Sequence, residues 1–102
     1  MTKYVQATSF RVKEGKLEAA TEEIRRWVSG YRDIGCEVAM YVQVGAGDTG
    51  AVLTSVTFPD GETWLKSIED PRMLEARARM TEPDWPFSEQ GSTVWQELEI
   101  SS

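Results

Sequence analysis

The sequence predicts an α+β fold in which four strands and two helical regions follow one another in the order βαββαβ. Three observations support this prediction. Four separate stretches have the composition of strands, and the first of them alternates between two faces as a half-buried strand does. After the first and third of these stretches, apolar residues recur every three or four positions, which is the pattern of helices. The 102 residues suffice for one domain with one hydrophobic core, and we expect a single domain over residues 1–102.

The first strand is predicted over residues 4–12, where β-branched and aromatic side chains alternate between two faces. One face would carry Tyr4, Gln6, Thr8, Phe10 and Val12. A break at Glu14-Gly15 precedes the first helix, whose apolar residues run at helical spacing from Leu17 to Ile34. Gly35 is expected to end this helix, because glycine tolerates the left-handed conformation that often follows a helix.

The second and third strands are predicted as an antiparallel hairpin over residues 36–44 and 51–58. The glycine-rich turn from Gly45 to Gly50 separates them. These glycines do not predict a phosphate-binding loop, because such a loop ends in Lys followed by Ser or Thr and opens a helix, whereas a strand follows here.

The second helical region is predicted as two helices with a break at Asp70-Pro71. Asp70 would cap the second of them, and Pro71 suits the first helical position, so this helix is expected over residues 71 to about 80. Glu82-Pro83 is expected to end this helix. The segment 84–91, which contains two large aromatic residues, is predicted as a loop, and residues 93–100 are predicted as the last strand.

The composition excludes several classes of function. The formal net charge of -6 disfavours binding to nucleic acid or to an anionic membrane. No apolar stretch approaches the roughly 20 residues that span a bilayer, and the chain does not open with a basic and then apolar leader, so we expect a cytoplasmic protein. Histidine is absent and Cys36 is the single cysteine, which excludes Ser-His-Asp and Cys-His catalysis and His-ligated metal centres. We therefore expect neither a metal nor a cofactor.

Several short motifs occur in order along nearly the whole chain: Phe10 to Lys16 before the first helix, Gly35, Phe58 at the end of the third strand, Trp64, and Asp70-Pro71-Arg72. Together they resemble the antibiotic biosynthesis monooxygenase-like group of the dimeric α+β barrel superfamily. The resemblance implies a ferredoxin-like protomer, with a four-stranded antiparallel sheet and the helices on one face. It also implies a homodimer in which two sheets press together, and such a partner would cover the face that the helices leave bare.

The resemblance further implies a ligand pocket between the helices and the sheet. Haem-degrading members carry an Asn, a Trp and a His at positions that correspond here to Thr8, Phe58 and Ala76. Some quinone-forming members carry an Asn four residues before that Trp, where this chain has Thr54. Because all of these residues are replaced, we expect no haem degradation, and the usual residues of the oxygenase reaction are missing.

If Thr8 and Phe58 face the pocket as the resemblance implies, strand alternation places Gln6, Phe10 and Thr54 on the same face. Gln6, Thr8 and Thr54 would then be polar groups in a mostly apolar cleft, which is the usual lining of a small-molecule site. The alternative is that these side chains only hydrogen-bond one another, a helix terminus or water.

Arg77 is the most informative charged residue, because it shares a helical face with the apolar Met73 and Met80. One interpretation is that its stem packs while its charge reaches solvent or a carboxylate. The other is that it binds an anion inside the cleft. On the second interpretation Arg77, Thr8 and Thr54 are the candidate catalytic residues, and Met73 contributes to the binding surface.

Large aromatic residues complete the predicted substrate-binding surface: Trp27, Tyr31, Trp64, Trp85 and Trp95. Trp27 and Tyr31 lie one turn apart on the first helix, and core packing is the alternative role for both of them and for Trp64. Trp85 belongs to a loop that would either cover the pocket or pack on the partner subunit. Trp95 would reach either the pocket or the dimer interface.

Three functions are consistent with these features. The first is a small cofactor-independent monooxygenase or cyclase acting on an aromatic or polyketide-like small molecule. The second is a non-catalytic dimer that binds such a molecule. The third is a structural dimerisation module whose cleft is filled by Trp27, Trp64 and Trp85.

Overall fold

The computed structural model describes residues 2–46 and 50–100, and within these ranges the chain forms a four-stranded antiparallel sheet and three helices. The elements are β1 (Tyr4–Val12), α1 (Leu17–Asp33), β2 (Glu37–Val42), β3 (Val52–Phe58), α2 (Gly61–Glu69), α3 (Pro71–Arg79) and β4 (Phe87–Gln96). The order across the sheet is β2-β3-β1-β4. This arrangement confirms the predicted ferredoxin-like α+β fold. No helix in the described ranges is long and apolar enough to cross a membrane.

The last strand differs most from the prediction. β4 begins at Phe87, inside the segment 84–91 that was predicted as a loop, and it ends at Gln96 instead of continuing through the predicted range 93–100. Pairing with β1 explains the early start, because Phe87 is aligned with Val12 at the far end of that strand. The other strand and helix ends that were predicted agree with the structure to within one or two residues.

The predicted helix ends are confirmed by their backbone geometry. Gly35 has a φ of 93°, in the left-handed region that glycine adopts at low cost. The Asp70 carboxylate accepts a hydrogen bond of 2.9 Å from the backbone N–H of Arg72, so Asp70 caps α3 as expected. The same residue therefore ends α2 and starts α3.

The hairpin between β2 and β3 is closed by backbone hydrogen bonds at its base. The Gln43 N–H donates to the Ala51 carbonyl at 2.8 Å, and the Gly50 N–H donates to the Gln43 carbonyl at 2.9 Å. Residues 47–49, in the middle of the predicted glycine-rich turn, lie outside the described residues.

In the described part of the chain, the buried side chains form two clusters toward opposite ends of β1. The first cluster contains Phe10, Ala20, Trp85 and Phe87. The second contains Cys36, Val56 and Phe58, and Tyr4 packs against it. Gln6 and Thr8 lie on the same face of β1 between Tyr4 and Phe10, so polar residues separate the two apolar ends.

The opposite face of the sheet carries mostly small side chains, and its large apolar residues are exposed. Trp95, Tyr41 and Leu53 are 62%, 57% and 39% exposed. The strand register places them on the face that points away from Gln6 and Thr8, because Trp95 is aligned with Val5, and Leu53 is aligned with both Ser9 and Tyr41. We refer to this surface as the outer face.

Candidate functional site

A cavity of about 480 Å³ lies between the inner face of the sheet and the helices. Its volume is within the range of small-molecule sites. Most of the candidate residues predicted from the sequence line it: Gln6, Thr8, Trp27, Tyr31, Thr54, Trp64, Met73, Arg77 and Trp85. The structure therefore brings these side chains together around one space.

Three candidate residues lie elsewhere. Phe10 and Phe58 are only 1% and 0% exposed and belong to the two core clusters instead of the cavity lining. Alternation placed them on the correct face, but each ring is at an end of the strands, where aromatic neighbours cover it. Trp95 lies on the outer face, and its indole N–H donates to Thr93 Oγ1 at 2.8 Å. The structure thus places Trp95 away from the pocket.

The tryptophans that were expected to fill the cleft in a structural module line it instead. Trp64 is held to one side by stacking on Tyr4, with ring centroids 5.2 Å apart. Trp27 packs at the other end against Phe87 and Trp85, at centroid distances of 5.1 and 6.0 Å. Because the indoles pack against the core clusters, the space between them stays open.

The floor of the cavity combines polar and apolar side chains: Gln6, Thr8, Thr54 and Ser92, together with Val38, Val56 and Val94. Thr8 Oγ1 and Ser92 Oγ are 2.8 Å apart, and Thr54 Oγ1 donates to the Thr8 carbonyl at 3.4 Å. Both threonine hydroxyls are therefore hydrogen-bonded within the protein, although their partners are Ser92 and a backbone carbonyl instead of one another's side chains. The Gln6 amide also lines the cavity, and it makes no side-chain hydrogen bond to another residue in the described ranges. The floor can accept or donate hydrogen bonds but carries no charge.

Arg77 lies in the helical wall of the cavity together with Met73 and Met80, as the sequence predicted. Within residues 2–46 and 50–100, its guanidinium forms no ion pair with a carboxylate. Tyr31 lines the same cavity, and burial raises the pKa of its phenol; the charge of Arg77 acts in the opposite direction but is the smaller effect. Tyr31 is therefore a protonated hydrogen-bond donor near a cation at neutral pH.

Ion pairs near both ends of α3 hold Arg77 in this wall. Arg72 Nη1 lies 2.7 Å from Asp33 Oδ2 near the end of α1. Arg79 forms two hydrogen bonds of 2.6 Å with the buried carboxylate of Glu23, also on α1. Such bidentate geometry fixes orientation as well as distance. α3 is thus fastened antiparallel to α1, with Arg77 between its two fastening points.

The structure adds cavity residues that the sequence analysis missed, and the most prominent come from β4: Gln90, Ser92 and Val94. Gln90 was missed because residues 84–91 were assigned to a loop, and Val94 was missed because Trp95, on the opposite face, was the candidate taken from the predicted last strand. The alternation of these three positions was the available signal, since every second residue of a strand faces the same side.

The described residues offer neither a metal site nor an activated thiol. No group of three or more Cys, Asp or Glu side chains in residues 2–46 and 50–100 could hold a metal ion. Cys36 is buried, and burial raises the pKa of its thiol to about 11. At neutral pH this thiol is protonated, so it is a poor nucleophile.

Comparison with solved structures shows the same fold in several proteins. Rv0793 from Mycobacterium tuberculosis is 15% identical, with a TM-score of 0.72 over 98% of this chain and 99% of that chain. A candidate antibiotic biosynthesis monooxygenase from Deinococcus radiodurans is 10% identical, with a TM-score of 0.71 over 97% and 96%. Another from Nitrosomonas europaea is 18% identical, with a TM-score of 0.66 over 98% and 94%.

These similarities confirm the predicted resemblance to antibiotic biosynthesis monooxygenase-like proteins at the level of the fold. No protein-family model matches the chain, and a search of curated proteins gives no match. Since identities of 10 to 18% establish a fold and not a reaction, the function has to be argued from the cavity itself.

Proposed function

We propose that this chain is a small cofactor-independent, cytoplasmic monooxygenase- or cyclase-like protein that acts on an anionic aromatic or polyketide-like molecule in the cavity. The observation that carries the proposal is the Arg77 guanidinium, which lines the cavity without a carboxylate partner among the described residues. The candidate monooxygenases of the same fold support the reaction class.

A ligand oxyanion is the partner that best suits Arg77. Arg77 is an exposed residue that also lines the cavity, so its guanidinium is hydrated in the free protein. A ligand that displaces this water has to supply a partner, because the floor offers only neutral groups such as Gln6 and Thr8. Tyr31 adds a second donor near the same charge. Charge-assisted hydrogen bonds contribute about 1.5 to 3 kcal/mol, so this wall would favour the ionised form of a phenol or enol.

The ionised form is the one that cofactor-free oxidation requires, because an enolate is electron-rich enough to react directly with dioxygen. In the oxidation of a ring methylene to a carbonyl, one oxygen atom enters the substrate. The other leaves as water, together with the two hydrogens of the oxidised carbon. In this scheme Arg77 stabilises the anion, while the hydroxyls of Thr8 and Thr54 contact the substrate from the floor.

The remaining candidate residues would bind and orient the ring system. Trp27, Trp64 and Trp85 supply flat apolar walls, and Met73 supplies an adaptable one. Gln6 adds a neutral hydrogen-bonding group at the floor. Holding a flat substrate in one orientation is a substantial part of catalysis when no strong base is present.

Replacing Arg77 tests the proposal. Arg77→Met keeps most of the stem and removes the charge, so we expect a folded protein with a similar or higher melting temperature. Affinity for lawsone, a hydroxynaphthoquinone that is ionised at neutral pH, should fall by about tenfold or more, measured by titration calorimetry. Arg32→Met is the matched control, because Arg32 is exposed on α1 and does not line the cavity. Equal affinities in both variants would contradict the anion site.

We also propose a homodimer formed through the outer face. Exposed Trp95, Tyr41 and Leu53 lie on this face, and large exposed apolar areas are uncommon on monomers. We expect light scattering at micromolar concentration to give about twice the chain mass of 11.5 kDa. Ala7→Arg, in the middle of the face, should give monomers, whereas Leu65→Arg on exposed α2 should not. A mass of 11.5 kDa for the unaltered protein would refute the dimer.

A non-catalytic ligand-binding dimer is the second candidate, because the same cavity would serve a sensor or carrier. Oxygen consumption distinguishes the two functions. An enzyme should consume dissolved oxygen with a bound, oxidisable ring methylene compound such as anthrone and release the corresponding quinone, and Arg77→Met should slow this release. Tight binding without oxygen consumption or any conversion of the ligand would favour the non-catalytic function.

A further inference from the structure

The register of β4 shifts beside Phe10. Ser9 is aligned with Gly91 and Arg11 with Ser88, so one residue of β1 lies opposite two residues of β4. This is the arrangement of a β-bulge, a feature that often re-aims a side chain next to a functional site. Its position matters because the strand continues from here along the floor of the cavity.

Glu89 is the residue that accommodates the bulge. It has a φ of 53°, a left-handed conformation that residues other than glycine rarely adopt. Its carboxylate lies 3.0 Å from Arg11 Nε on the neighbouring strand. The extra residue resets the alternation of β4, so that Phe87 is buried in the core and Gln90 lines the cavity. Without the bulge, these two side chains would point to opposite faces of the sheet.

The amide of Gln90 is held in one orientation. Its Oε1 accepts a hydrogen bond of 2.9 Å from the indole N–H of Trp85. An indole nitrogen can only donate, so the group facing it must be the amide oxygen, and the NH₂ group is left at the other end. Within residues 2–46 and 50–100, no acceptor bonds to this NH₂ group. The cavity therefore contains a fixed neutral donor from β4 in addition to the cation from α3.

We propose that Gln90 is a specificity-determining residue whose Nε2 donates a hydrogen bond to a neutral carbonyl oxygen of the ligand. This inference rests on the proposed function, because Arg77 would hold the anionic oxygen of the same molecule. The preferred ligand class is then a flat aromatic anion that carries a separate carbonyl, such as a hydroxyquinone. A site built around an oriented donor discriminates against analogues that lack the matching acceptor.

Two ligands distinguish the contribution of the Gln90 amide donor from that of the Arg77 cation. Lawsone carries an ionised oxygen and quinone carbonyls, whereas naphthoate is an aromatic anion without a quinone carbonyl. Gln90→Met keeps the length of the side chain and removes its hydrogen bonds. Because this change leaves the Trp85 indole N–H without its acceptor, the double variant Trp85→Phe/Gln90→Met is measured as well, since removing both partners avoids a buried unpaired donor.

We expect Gln90→Met to lose about five- to tenfold in affinity for lawsone while its affinity for naphthoate changes less than about twofold. The double variant should show the same selective loss relative to Trp85→Phe alone, because Trp85 itself lines the cavity. Arg77→Met should weaken both ligands. An equal loss for both ligands in the Gln90 variants, or no loss for lawsone, would overturn the role of Gln90 while the anion site stands. If the unaltered protein bound neither probe, the proposed function would fail, and this inference with it.

Discussion

The inward-facing residues of β1 change character along a single strand. At its ends, Tyr4 and Phe10 pack into the two core clusters, whereas Gln6 and Thr8 between them line the cavity. β3 repeats the pattern, with buried Phe58 at one end and Thr54 in the middle. The ends bury aromatic rings, which contributes stability. In the middle, smaller side chains leave an open space with a few polar groups among apolar walls, which is the usual lining of a small-molecule site.

The largest expected effect comes from removing an aromatic ring from one of the two core clusters. Phe58 is fully buried and packs edge-on against Tyr31, with ring centroids 5.9 Å apart. We expect Phe58→Ala to lower the free energy of unfolding by about 3 to 5 kcal/mol, measured by urea denaturation at a fixed protein concentration.

Thr54→Val is the matched control on the same strand, because it keeps the shape of the side chain and removes only a long hydrogen bond of 3.4 Å to the Thr8 carbonyl. Its effect on the free energy of unfolding should stay below about 1 kcal/mol. Similar losses in the two variants would show that the end and the middle of β3 contribute alike to stability.

Much of this contrast was readable from the sequence, because strand alternation depends only on local geometry. It placed Gln6, Thr8 and Thr54 on one face, and helical spacing placed Arg77 beside Met73. The bulge in β4 was not readable, since it depends on how two distant strands align and on a conformation of Glu89 that its residue type does not favour.

Packing between distant parts of the chain also determines which residues on one face of a strand are buried in the core and which line the cavity. Phe10 shares a face with Thr8 but is buried by Trp27 and Phe87, which arrive from other parts of the chain. The position of α1 determines that Arg79 has a carboxylate partner while Arg77 has none among the described residues. No local pattern in the sequence specifies the position of α1.

An intermediate effect is expected at the ion pair that holds α3, the helical wall of the cavity, against α1. Glu23 is buried and accepts both hydrogen bonds from Arg79, so Glu23→Gln removes the charge that orients the guanidinium. We expect a loss of about 1 to 3 kcal/mol in the free energy of unfolding. Glu22→Gln, at the adjacent exposed position, should change it by less than about 0.5 kcal/mol. Equal changes would show that this ion pair does not stabilise the α1–α3 contact.

The smallest effect is expected at high pH and concerns Cys36 in the second core cluster. Burial raises the pKa of this thiol from 9.0 to about 11, so folding favours its protonated form. Well below pH 9 the thiol is protonated in both the folded and the unfolded state, and it contributes no pH dependence. Between pH 9 and about 11 the unfolded thiol releases its proton while the folded thiol retains it, so the free energy of unfolding should fall as the pH rises. Cys36→Ala should lack this part of the decline. It also removes the contribution of Cys36 to the raised pKa of Tyr31, so the difference between the two proteins reports on the interacting pair. Urea denaturation of the two proteins under reducing conditions, at neutral pH and at pH values within this window, measures that difference. Parallel pH profiles of the free energy of unfolding for the two proteins would show that the second core cluster does not disfavour the thiolate relative to water.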